Sequence, residues 1–119
     1  MRRLALPAIA GLLLVTVPGP VGAYPTRVQA VADEFHLTLS RTSVPHKRVK
    51  IELANFGEDP HDLKLRRIGG TRTYVIPETL PGEQTTRTFR LRPGRYQVWC
   101  SVADHHELGM RATLRVRRD

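Results

Sequence analysis

The chain is short of the devices that usually hold a small domain together. One cysteine, Cys100, stands among 119 residues, so no disulfide can form within the chain. An unpaired thiol needs protection, either as a buried core residue or through a metal bond. Aromatic residues make up only 6% of the sequence and do not interleave with a basic stretch, which removes the pattern expected of a nucleic-acid surface. No helical period, internal repeat, low-complexity segment or second domain is present. The one long apolar run, Leu4 to Val17, is broken by Pro7 and Gly11 and is shorter than the ~20 residues a membrane span requires.

That run has another meaning. It follows Met1-Arg2-Arg3 and leads through a Pro/Gly break to the small residues Val21-Gly22-Ala23. The order basic, apolar, small is that of a secretory signal peptide over residues 1–23, cleaved after Ala23. A single domain, 24–119, then remains in a secreted or periplasmic compartment, with no membrane span after cleavage. No cysteine lies near the cleavage point, so lipid attachment there is excluded.

The formal charge is +8, and the chain stays basic without Arg2 and Arg3. Arg111, Arg115 and Arg117 alternate with Ala112, Leu114 and Val116, as on the solvated face of a strand. No helix is there to enter a groove, so nucleic acid is not expected as a partner. A basic surface favours a partner with an acidic surface or an anionic envelope.

Strand signals fill residues 24–119. Runs of period two occur at Arg27 to Ala32, Phe35 to Leu39, Val49 to Ala54, Leu63 to Arg67, Thr73 to Ile76, Thr85 to Leu91, Tyr96 to Cys100 and Met110 to Val116. Turn signals separate them, among them Ser43-Val44-Pro45, Asn55-Phe56-Gly57, Gly69-Gly70, Pro81-Gly82 and Pro93-Gly94. The reading is an all-β fold, a sandwich or barrel of about eight strands.

The chemistry is concentrated in CSVADHHELGM, between two strand runs. Cys100, His105 and Met110 fall at the spacing C-x4-H-x4-M, and His61 in NFGEDPHDL stands where a turn becomes a strand. Each has a plainer reading alone: Cys100 as core, His61 as a turn residue, Met110 as packing, His105 with His106 as a solvated pair. Together, a thiol, two imidazoles and a weak thioether are the donor set of an electron-transfer copper site. Strand parity supports the convergence. With four reversals between them, the run ending at Ala54 and the run ending at Cys100 point the same way, so both loops open at one pole.

The HDL segment with His61, the run PGRYQVWC and the loop through His105, Gly109 and Met110 together resemble the cupredoxins, the plastocyanin and azurin family. The resemblance covers the chain from about Phe35 onward. It implies a Greek-key β-sandwich binding one copper ion, with His61, Cys100 and His105 as equatorial ligands and Met110 as the weak axial one. It further implies a protein that passes single electrons between a redox protein donor and acceptor, commonly by way of the residue matching His105. Nothing in the sequence suggests more than a monomer, and a catalytic copper would need a second domain and further His ligands, so no enzyme is expected. The other function is copper sequestration or delivery without electron shuttling, against which stands the lack of a further Met or His cluster. His106 matches no ligand position of the family. Ala103-Asp104 departs from the Pro-Gly of many relatives, and Asp104, as a residue tolerant of positive φ, is expected to keep the loop's path. A hydrogen bond between Asp62 and Ser101 is expected to join the two ligand segments. Trp99 points away from the Cys100 face, as packing or as a second electron route.

Overall fold

The structure, a computed structural model, describes Leu4, residues 11–19 and residues 24–118. The cleavage expected after Ala23 lies outside the described residues. Among them no helix is long and apolar enough to cross a membrane.

The elements are β1 (Thr26–Asp33), β2 (His36–Leu39), β3 (Ser43–Pro45), β4 (Lys47–Asn55), β5 (His61–Arg67), β6 (Thr73–Thr79), β7 (Gln84–Leu91), β8 (Gly94–Trp99) and β9 (Arg111–Arg117). They form two sheets, one in the order β2-β1-β4-β7 and the other β3-β9-β8-β5-β6. The extra strand is β3, which the sequence presents as a turn because Pro45 follows only two residues. Three residues suffice there because Val44 is fully buried and the segment pairs in parallel with the end of β9. Pro45 sits on the sheet's edge, where a missing N–H is tolerated.

Alternation fixes which face each strand buries. Val28, Ala30 and Ala32 of β1 and Val49, Ile51 and Leu53 of β4 meet Leu63 and Leu65 of β5, Tyr96 and Val98 of β8, and Leu114 and Val116 of β9 in one core. Each such Leu or Ile removed from water contributes about 1.5–3 kcal/mol. Lys50, Glu52, Lys64, Arg66, Gln97 and Arg115 occupy the outward positions between them.

The parity expectation holds in the register. β5 runs antiparallel to β6 and β8, and β4 antiparallel to β7. Asn55 at the end of β4 donates from Nδ2 to Thr79 O, and Thr79 faces His61 across β5 and β6. The end of β4, the start of β5 and the end of β8 therefore share one pole, here the Cys100 pole.

Candidate metal centre

His61 opens β5, Cys100 follows β8, and the loop from Ser101 returns to β9 through His105 and Met110. All four side chains are buried, three of them at 0% exposure and His105 at 4%. Cys100 Sγ lies 3.8 Å from His61 Nδ1 and 3.7 Å from His105 Nδ1, and the two Nδ1 atoms are 3.2 Å apart. Donors held at about 2.0–2.3 Å from one centre stand about 3.3–3.8 Å from each other. The separations thus match three ligands of a single ion. Met110 borders the same site through the backbone, donating its N–H to His105 O at 3.0 Å and accepting from Cys100 N–H at 3.1 Å.

The outer edges of both imidazoles are occupied by carboxylates. His61 Nε2 lies 3.1 Å from Glu34 Oε1, and His105 Nε2 lies 3.3 Å from Asp59 Oδ2. The Glu34 carboxylate can accept from His61 Nε2–H, the tautomer that leaves His61 Nδ1 a bare acceptor facing inward. Two inward ring nitrogens 3.2 Å apart beside a thiol form a donor set able to hold a cation. The donor set, one soft sulfur and two borderline nitrogens, fits copper. In the metal-free protein, burial pushes the Cys100 thiol above its ordinary value, so a metal entering the site displaces a proton.

The surrounding loops are tied tightly. Glu34 accepts from the N–H of Asp59 at 2.7 Å and of Glu58 at 2.9 Å. These amide bonds, Asp59's foremost, with His61 behind them, hold the Glu34 carboxyl below the usual carboxylate range. A Cβ at Gly57 would collide with that carboxylate. Buried Asn55 closes the same loop, accepting from Gly57 N–H and donating to the carbonyls of Asp59 and Thr79. The expected bond between the ligand segments is present twice: Asp62 accepts from Ser101 N–H at 2.6 Å and from its hydroxyl. Gly109, at φ 124°, lets the loop pass so close to Phe35 that a Cβ would stand 3.2 Å from its carbonyl oxygen.

One expectation changes. The residue in the left-handed region is Ala103, at φ 45°, and not Asp104. A turn of Val102 to His105, closed by His105 N–H to Val102 O at 3.0 Å, puts the positive φ one residue earlier than the chemistry of Asp104 suggested. The edge of His105 is also covered, by Phe35 with ring centroids 5.0 Å apart and by Asp59 at Nε2. His106 lies outside the cluster, 3.5 Å from Glu107 Oε1 and edge-on to Trp99. Trp99 is on the outer face of its sheet, as its alternation with Cys100 requires.

Glu34, Asn55 and Asp59 escape sequence reasoning. Glu34 reads as a polar residue between two strand runs, and only the pairing of β1 beside β4 brings it to His61. Asp59 offers the one local signal, being two residues before His61.

The fold matches that of auracyanin B with a TM-score of 0.63 and 19% identity, over 82% of this chain and 93% of that one. The chain has a cupredoxin-like fold. The same cupredoxin-like arrangement is found in auracyanin A, a "blue" copper protein of Chloroflexus aurantiacus, at a TM-score of 0.64 and 17% identity over 79% of this chain and all of that one. A dithionite-reduced auracyanin of Roseiflexus castenholzii matches at 0.63 and 17% over 81% and 99%. A multicopper oxidase matches at 0.60 and 14% identity, with only 44% of its chain covered. No family model matches the sequence, and no curated protein does.

Proposed function

We propose that this protein holds one copper ion through His61, Cys100 and His105, with Met110 as the weak fourth ligand, and carries single electrons between redox partners outside the cytoplasm. The observation that carries the reading is the convergence of three buried donors 3.2–3.8 Å apart with their outer edges already tied. Bound there, copper supplies a one-electron Cu(I)/Cu(II) couple acceptable to thiolate, imidazole and thioether alike. Two-sheet packing and the Asp62–Ser101 bonds keep the donors in place in both states. Burial of all four side chains excludes water.

Electrons would pass at the Cys100 pole, where Phe56, Leu80 and Leu108 are 70%, 50% and 51% exposed among Glu58, Asp59, Asp104 and Glu107. A partner meeting this pole needs an apolar patch edged with basic residues. The acidic partner suggested by net charge suits the opposite pole. Cyclic voltammetry of the copper-loaded protein tests the carrier role. A reversible one-electron wave, with copper retained over repeated cycles, is expected; release of copper on reduction would replace electron transfer by copper handling.

A further inference from the structure

The fold sorts charge along its long axis. Among the described residues every Asp and Glu except Glu52 lies on a strand end or turn of the Cys100 pole, from Asp33 and Glu34 to Asp104 and Glu107. Arg111 is the only described Lys or Arg at a strand end there. The opposite pole is the reverse. Lys47 and Arg48 open β4 beside Arg90. Arg92 precedes the turn before β8, and Arg95 lines one groove with Arg115, Arg117 and Arg118. These side chains are exposed, and among the described residues no carboxylate lines either patch.

Two more features share that pole. Ile68, 58% exposed at the tip of the β5–β6 turn, sits between Arg67 and Arg72. Tyr24, 89% exposed, borders the same groove as Lys47, Arg48 and Arg90.

We propose that this basic pole docks on an anionic lipid surface, with the Cys100 pole turned outward. Arginine and lysine clusters are drawn to anionic headgroups, and the exposed Ile68 can enter the interface between them. Acidic side chains at the other end are repelled by the same surface, so attraction and repulsion give one orientation. This layout leaves the site facing whatever approaches from solution. It rests on the charge distribution and not on the metal, so metal-free and metal-loaded protein dock alike.

The test uses the chain from Tyr24, since the core contains no described residue before Val28. Binding is measured by co-sedimentation with phosphatidylcholine vesicles with and without phosphatidylglycerol, in metal-free protein. Binding to the anionic vesicles alone, weakened by salt, is expected. The variant R92Q/R95Q/R115Q/R117Q should bind at least roughly tenfold more weakly, while R111Q at the other pole binds as the parent does; circular dichroism checks that both are folded. Acrylamide quenching of Trp99, the one tryptophan, should be unchanged on the vesicle. Equal binding to neutral vesicles, no binding, insensitivity to the fourfold variant, or protection of Trp99 would each overturn the proposal. Retention on a soluble polyanion with no vesicle binding would overturn it too, and would assign the pole to a polyanionic polymer.

Discussion

His61 Nε2 and Glu34 Oε1 stand 3.1 Å apart, an imidazole fully buried and a carboxylate 25% exposed, joined from turns that are 27 residues apart in sequence. The carboxylate fixes which ring nitrogen faces inward and adds negative charge behind it, favouring the more positive metal state. Glu34→Gln keeps an acceptor for the Glu58 and Asp59 amides but removes the charge. Cu(II) affinity is expected to fall by about tenfold or more, and, if Cu(I) affinity is unchanged, the reduction potential rises by about 59 mV per tenfold. Competitive chelator titration and voltammetry measure the two.

Ser101 and Asp62 offer a second test. Ser101→Ala removes the hydroxyl bond and leaves the backbone N–H bond in place; Asp62→Ala removes both. Stability should fall by about 1.5–3 kcal/mol for the first, a bond to a charged group, and by more for the second. Copper affinity should fall in the same order, read from denaturant curves and metal titration.

The two adjacent histidines separate cleanly. His106→Ala leaves the three inward donors untouched and should keep copper stoichiometry and spectrum. His105→Ala removes the donor 3.7 Å from Cys100 Sγ and should abolish the intense visible band. The reverse result would exchange their roles.

Tyr96 provides a pH test remote from the metal. Its ring is buried in the core and its hydroxyl donates to Arg92 O at 2.9 Å. Burial pushes the phenol above its ordinary 10.0. A raised folded value means that the folded state holds its proton longer than the unfolded state. Stability is therefore complete below about pH 10 and declines as pH rises from there through the folded value. Thermal unfolding from pH 8 to 11 should show the decline, and Tyr96→Phe should lessen it while losing about 1 kcal/mol near neutral pH with the hydrogen bond.

Much of this was legible from period and spacing. Eight strands declare themselves by alternation, and parity brings His61 and Cys100 to one pole before any coordinate is known. β3 did not, because three residues ending in proline carry too little pattern, and parallel pairing with β9 is a long-range decision. Ala103 was missed because local propensity assigns positive φ to Asp104, whereas closure of the turn onto Val102 O demands it one residue earlier. Glu34 and Asp59 were invisible for a related reason: their value comes from the neighbour that the fold supplies. The charge total, likewise, says nothing of its division between two poles.

Copper held here would be bonded to the Cys100 thiolate. The most direct measurement is the visible absorption spectrum of the protein from Tyr24 with stoichiometric Cu(II), recorded through mild reduction and reoxidation, beside Cys100→Ser. An intense blue or green band that bleaches, returns, and is absent from the serine variant is the predicted result. A protein that stays colourless, or whose colour survives Cys100→Ser, would contradict it.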